Sequence, residues 1–261
     1  LIILRSRAEI EKIKTSCQIV AEILDLLIEH VKPGITTWEL NAISEELASK
    51  KHAKSAFKGY QGYPFALCTS VNEEVVHGMP SKHRRLKDGD IISLDFGVVL
   101  DGYYGDGAVT APVGEISEEA ARLCSVTEQC LYEGISRAVS GNRLSDISHA
   151  IQAYVEKRGY SVVKEFVGHG IGQHLHESPQ IPNYGSPGKG VKLKPGMVLA
   201  VEPMINAGGP DVEILEDKWT AVTRDRKLSA HFEHTIAITE DGPQILTRRE
   251  TALHPQIDKL Q

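Results

Sequence analysis

Cysteine and aromatic residues are scarce: 4 Cys, and 6% Phe, Trp and Tyr, in 261 residues. Cys17, Cys68, Cys124 and Cys130 show no CxxC spacing, which argues against a Cys-rich zinc knuckle or a disulfide framework. Reduced thiols in a cytoplasmic protein are the simpler expectation. No apolar run approaches the roughly 18 residues of a membrane span. The opening LIILRSRAEIEKIK carries charge within five residues, unlike a secretory signal. There is no long basic run and the net charge is −6, so neither nucleic acid nor a membrane surface is an expected partner. Lys82, His83, Arg84, Arg85 and Lys87 form one short basic cluster, read as a solvated loop.

What is present is an ordinary globular composition. Hydrophobic residues make up 41% and charged residues 25%, enough for a large core in one domain or two small ones. Ser6 and Glu9 form a capping box. Ile10, Ile13, Cys17, Val20, Leu24, Leu27 and Val31 then recur at helical spacing, predicting a helix from about Ser6 to His30. Lys32-Pro33-Gly34 ends it, and Thr36 with Glu39 opens a shorter helix through Leu40, Ile43 and Leu47. The loop FKGYQGYPF leads into strands. After Pro112 and Gly114 the order repeats: Ser117 opens a long helix, Gly141 marks a break, and a shorter helix carries Ile147, Ile151 and Val155.

Two echoes join the halves. LKDGDIISLD (86–95) and LKPGMVLAVE (193–202) both begin Leu-Lys-x-Gly, run on as apolar strand and end in a carboxylate. Asp95 and Glu202 are equivalent by position. YGDGAVTAPVG and HFEHTIAITEDG both run acid, strand, glycine, which pairs Asp106 with Glu233. Gly34 and Gly141 are each followed at the fifth position by an acid, Glu39 or Asp146. The reading is an internal duplication of a helix–helix–strand–hairpin unit, with halves of about 1–115 and 116–261.

Asp95 and Asp106 stand in SLDFGVVLDGYYGD, a strand context that suits Asp poorly. Leu100-Asp101-Gly102 reads as a hairpin tip. With Leu100 and Asp101 as the central pair, Asp95 faces Asp106 directly. With Asp101-Gly102 as the turn, Asp95 faces Ala108 and Asp106 lies diagonally on the same face. A three-residue loop would set the two acids on opposite faces. In the first two registers one acid must take a proton, or a cation must sit between them.

The segment VKEFVGHGIGQHLHESP (163–179) adds three histidines among glycines. It is neither the HExxH of a zincin nor a phosphate loop. Asp95, Asp106, His169, Glu202 and Glu233 together offer four carboxylates and one imidazole, too many anions for one small cation. The set suits two divalent ions sharing bridging carboxylates, and Mn²⁺, Fe²⁺ or Co²⁺ better than a tetrahedral structural zinc.

The motifs GYQGYP, VNEEVVHGMP, LKDGDIISLDFGVVLDGYYGD, GHGIGQHLHESP, LKPGMVLAVEPM and FEHTIAIT cover nearly the whole chain. By them the sequence resembles the type I methionine aminopeptidases of peptidase family M24. The resemblance implies an α+β pita-bread (creatinase/aminopeptidase) fold: one catalytic domain over 1–261, with a pseudo-twofold duplication around a curved antiparallel sheet. It implies that Asp95, Asp106, His169, Glu202 and Glu233 hold two divalent metal ions, Mn, Fe, Co or Zn. A water between them would attack the carbonyl after an N-terminal Met, and Glu202 would carry its proton to the leaving amine. His176 would contact the carbonyl oxygen and His77 the amide nitrogen. Phe57, Tyr60, Tyr63, Cys68, Leu175 and Trp219 would line an apolar methionine pocket. Asn72 and Ser229 match positions that bind a monovalent cation in some members; His174 matches none. The partners implied are the N-terminal Met of peptides and nascent chains with a small second residue, and the ribosome transiently, for a monomer in the cytoplasm.

His169 and Glu202 stand 33 positions apart, leaving no room for the helical insertion of type II enzymes. The Cys/His-rich zinc extension of eukaryotic cytosolic type I enzymes is also missing, as in a bacterial or organellar form. Two alternatives stand beside this reading. Xaa-Pro aminopeptidases and dipeptidases share the fold but carry an additional N-terminal domain. A metal-free pita-bread binding protein would have lost ligand residues, whereas all five are here. Three positions depart from the family pattern: Gln61 where many relatives have His, Leu175 for a commoner Phe, and Gly107 where a hydroxyl residue is usual. They bear on substrate preference and rate, not on the ligand set.

Overall fold

The computed structural model describes residues 2–249, so the domain expected over 1–261 runs past the described residues at both ends. Its four helices are α1 (Arg7–His30), α2 (Thr37–Lys50), α3 (Glu118–Ile135) and α4 (Leu144–Glu156), and their starts follow from local chemistry. Ser6 and Thr36 each accept a hydrogen bond from the amide three residues on, and Glu9 and Glu39 reach back to the cap amides at 2.9 and 2.7 Å. Ser117 caps α3 by accepting from the Ala120 amide. In α4 the cap position is Arg143, without a side-chain cap, but Asp146 accepts from the Arg143 amide at 2.7 Å. Glu39 and Asp146 thus do the same work in the two halves, putting a carboxylate where free N–H groups and the helix dipole favour one.

Strands Ile91–Leu100 and Tyr103–Pro112 form the hairpin that carries the first two acids. Asp101 and Gly102 make its turn, with φ of 50° and 77°, as a two-residue type I′ turn requires. The register pairs Asp95 with Ala108 and Gly97 with Asp106. Of the three registers open at the sequence level, the structure takes the one with the acids diagonal on one face; the directly facing pair does not form.

A nine-stranded antiparallel sheet runs through the molecule. Its centre is Ile91–Leu100, Tyr103–Pro112, Glu233–Thr239 and Val198–Val201 in that order. Gly168–Gly170 and Glu177–Ile181 follow on one side, while Lys54–Ser55 and Leu67–Val71 pair with Ile91–Leu100 on the other. The two halves meet between Tyr103–Pro112 and Glu233–Thr239 in the pairs Glu233–Ala108 and His234–Gly107. Hydroxyls extend the seam: Thr110 Oγ1 donates to the His231 carbonyl and Thr235 Oγ1 to the Asp106 carbonyl, each at 2.8 Å.

The Leu-Lys-x-Gly echo is structural as well. Thr36 bridges to Arg85 as Arg143 does to Lys192. The amides of Gly34 and Gly141 donate to the Leu86 and Leu193 carbonyls at 2.8 and 3.1 Å. Helix α1 covers the outer side of the hairpin, burying Val20, Ile23, Leu24 and Leu27 with Leu94, Val98 and Val109 in the main core. Among the described residues no helix is long and apolar enough to cross a membrane.

Candidate metal centre and substrate cavity

Cys68, Asp95, Ala108 and Glu233 are successive register partners across four strands, so their side chains share one face of the sheet. Asp106, two residues before Ala108, projects to that face as well. His169 enters from Gly168–Gly170, opposite Ala200. Glu202 follows the end of Val198–Val201, where Val201 pairs with His234, so the next step of the register lies beside Glu233.

The side chains converge. Asp106, His169 and Glu233 are buried, and each offers one donor atom within 4.8 Å of the others. His169 Nε2 lies 3.4 Å from Glu202 Oε1 and 3.8 Å from Asp106 Oδ2. His169 Nδ1 is 2.9 Å from the Gly170 carbonyl; as donor there, it leaves the Nε2 lone pair facing the acids.

Among the described residues no Lys or Arg lines the cavity onto which the acids open. Burial raises the Asp95 carboxyl to about 7. Burial first, and then the charges of the neighbouring acids, push Asp106, Glu202 and Glu233 well above the carboxylate range. Burial, and then His176, lower His169 to about 3, so its imidazole is neutral. Asp95 Oδ1 and Glu233 Oε1 are buried with no hydrogen-bond partner, a costly condition for carboxylates. Four oxygen donors and one neutral imidazole, with orphaned anionic oxygens, fit divalent cations.

The cavity measures about 530 Å³. Asp95, Asp106, His169, Glu202 and Glu233 line it together with His77, His176, Phe57, Tyr60, Tyr63, Cys68, Leu175 and Trp219. His176 Nδ1 is 2.7 Å from the Tyr60 hydroxyl, and its ring lies 4.2 Å from that of His169. His77, in the left-handed region at φ 61°, stands edge-on to Phe166 and Trp219 at 5.3 and 6.4 Å. Burial, and then His176, bring His77 down to about 4. Burial also lowers His176. Tyr63 packs on Trp219 at 5.1 Å and points its hydroxyl at the Leu67 and Gly78 carbonyls.

Asn72 and Ser229 do not line this cavity. They meet each other elsewhere: the Ser229 amide donates to the Asn72 carbonyl at 2.8 Å, and Ser229 Oγ reaches Asn206 Oδ1 at 2.9 Å. His174 is outside the cavity lining, with 79% of its side chain exposed. Of the departures, Gln61 sits on the cavity wall at φ 48° and Leu175 is buried. A Cβ on Gly107 would come within 3.3 Å of Val20 Cγ1.

Sequence reasoning missed Phe166, Met204 and Glu177 in the wall, and His231 behind it. His231 is buried, both ring nitrogens lack a hydrogen-bond partner, and Nε2 lies 3.9 Å from Glu202 Oε2. The alternation of a strand carries the signal for His231, two residues before Glu233.

Residues 11–240 match the family model described as metallopeptidase family M24. The chain belongs to that family. Within M24, a methionine aminopeptidase of Bacillus subtilis is 56% identical over 248 residues, covering 95% of this chain and 100% of the relative. The crystal structure of a methionine aminopeptidase from Thermotoga maritima superposes with a TM-score of 0.94 at 49% identity, over 95% of this chain and 100% of that one. A prolidase from Pyrococcus horikoshii shares the fold at a TM-score of 0.78 and 23% identity, and the match covers 97% of this chain and only 65% of the prolidase.

Proposed function

We propose that this M24 chain removes the N-terminal methionine from peptides and nascent chains, preferring a small second residue. One observation carries the reading: a four-carboxylate, one-imidazole cluster opens directly onto a pocket walled by Phe57, Tyr63, Cys68, Leu175 and Trp219. Such a wall suits an unbranched thioether. The 56% identity to a methionine aminopeptidase over 95% of this chain supports it against the Xaa-Pro alternative.

Asp95, Asp106, His169, Glu202 and Glu233 would hold two divalent ions. Four carboxylates carry four negative charges, and two doubly charged ions would balance them where, among the described residues, no Lys or Arg does. The oxygen-rich set favours Mn²⁺, Fe²⁺ or Co²⁺, with Zn²⁺ also compatible with the imidazole. Ions so held supply Lewis acidity and lower the pKa of water. Glu202, at the junction of the acids and the cavity, would take a proton from the attacking water and hand it to the leaving amine. With the Tyr60 hydroxyl donating to Nδ1 across 2.7 Å, His176 would carry its own proton on Nε2, a donor for the developing oxyanion. His77, neutral, accepts the substrate amide N–H. Asn72 and Ser229 would hold a monovalent cation apart from the chemistry. The whole of 1–261 would act as one catalytic domain, a cytoplasmic monomer that meets nascent chains transiently at the ribosome.

The test is release of free Met from Met-Ala-Ser by protein loaded with Mn²⁺ or Co²⁺, alongside an Ala-Pro peptide, with bound metal measured. Metal-dependent Met release at about two ions per chain is expected. Preference for the Ala-Pro peptide, or no metal bound, would overturn the proposal.

A further inference from the structure

A buried ion pair lies just outside the donor set. Arg5, 6% exposed, reaches from the segment ahead of α1 to Glu177, with Nη2 at 2.6 and 2.7 Å from the two carboxylate oxygens. The amides of Gln173 and His174 donate to Glu177 Oε1 at 2.8 and 3.1 Å. Glu177 is therefore the hub on which the 173–177 loop closes, with Leu175 and His176 inside the closure. Two glycines make room for the arginine. A Cβ on Gly172 would lie 2.5 Å from Arg5 Nη2, and one on Gly196 would lie 2.9 Å from the Arg5 carbonyl oxygen. The Arg5 amide donates to the Gly196 carbonyl at 2.7 Å.

We infer that Arg5 is a positioning residue for His176 and Leu175, acting through Glu177. This rests on the functional reading above, which gives His176 the substrate carbonyl. Glu177 shares its cavity with the four acids of the candidate metal centre. Without Arg5 it would add a further uncompensated negative charge there, the costly way to break a buried pair. The loop relieves that cost by swinging Glu177 toward water, and His176, its neighbour in the chain, moves with it. A shift of about 1 Å at a catalytic group costs up to about a hundredfold in rate. Lysine would keep the charge that Nη2 brings to both carboxylate oxygens but not the second contact, Nη1 to Glu9 Oε1 at 3.5 Å.

In metal-loaded protein, Arg5→Met is expected to lower kcat on Met-Ala-Ser by about tenfold or more, with bound metal unchanged. Deuterium uptake should rise across 171–178 while α1 keeps its protection, and Arg5→Lys should recover part of kcat. The deciding measurement is a double-mutant cycle with His176→Ala. Acting through His176, Arg5→Met should change the rate of His176→Ala by less than about twofold. A second full loss on that background, or unchanged exchange in 171–178, overturns the inference. Glu177→Gln tests the same coupling if Arg5→Met does not fold. Wild-type kcat in His176→Ala would instead overturn the functional reading of His176, and the rise in exchange would still report the Arg5 clamp.

Discussion

Asp95 and Glu233 stand opposite the same residue, Ala108, one from each side. With strands about 4.8 Å apart, their Cα atoms are separated by about two strand spacings. The methyl of Ala108, 4% exposed, is the floor between them. The room above that floor is where donors from the two halves of the chain come together.

Ala108→Val should raise the floor. Valine suits a strand, so the sheet is expected to survive, but two added methyl carbons intrude between the carboxylates. Bound metal per chain should fall well below the wild-type value, and peptidase activity should fall with it by more than about tenfold, a loss of roughly 1.4 kcal/mol. Metal analysis beside thermal melts checks this. Full occupancy with normal turnover would refute it.

Metal removal should reverse the pH response of stability. In chelated protein the four acids hold protons in the fold at pH values where the unfolded chain has lost them. The native state then binds more protons, and stability falls as pH rises from about 4 toward about 7, the folded value of Asp95. His169, His231 and His234, lowered to about 3, act oppositely: stability rises with pH until the unfolded value of about 6.5. Above that the acids act, joined toward pH 8 in the same direction by the buried thiols of Cys17, Cys68, Cys124 and Cys130, which burial raises. Tm in EDTA should therefore drop between pH 6.5 and 8, and less steeply in Asp95→Asn. Saturating Mn²⁺ should abolish the drop and, at about a hundredfold over Kd, add about 2.7 kcal/mol. A flat chelated profile in this range would contradict the charge assignment.

Tyr60→Phe keeps the aromatic wall and removes only the hydroxyl that lies 2.7 Å from His176 Nδ1. The imidazole is then free to take the tautomer with no proton on Nε2. We expect kcat to drop about fivefold, ~1 kcal/mol for one hydrogen bond, with KM little changed. Steady-state kinetics decide it. A rise in KM at constant kcat would make Tyr60 a binding group only.

Gly97→Ala should act on the pocket from behind. The added Cβ would lie 2.8 Å from Phe57 Cε1 and 3.2 Å from Asp106 Oδ1. Phe57 must give way into the cavity it lines, an overpacking cost of about 1–3 kcal/mol. KM for Met-Ala-Ser should rise severalfold. A KM at the wild-type value would show that Phe57 does not wall the occupied pocket.

Much of this was legible in the sequence because its causes are local or repeated. The capping pairs Ser6–Glu9 and Thr36–Glu39 needed only four consecutive residues each, and the echo of 86–95 in 193–202 aligned Asp95 with Glu202. The hairpin register was not fixed. Leu100-Asp101-Gly102 offers more than one central pair, and the positive φ at Gly102 as well as Asp101, with Leu100 paired to Tyr103, selects Asp101-Gly102. The wall residues Phe166 and Met204 carry no pattern that separates them from core. Arg5 and Glu177 are 172 positions apart, and nothing in either neighbourhood announces the other. Long-range pairing of polar groups is the part that a linear reading loses.

The seam has a consequence for how the cage is completed. Each half brings two of the four acids, and Glu233 of one half lies directly against Ala108 of the other. A single half would present an open strand edge with two carboxylates and an incomplete cage. Two identical halves, back to back about a twofold, would close both the edge and the cage. The first pair of acids is joined by a short Asp-Gly turn; the second is joined by a long excursion that brings Trp219 to the cavity wall.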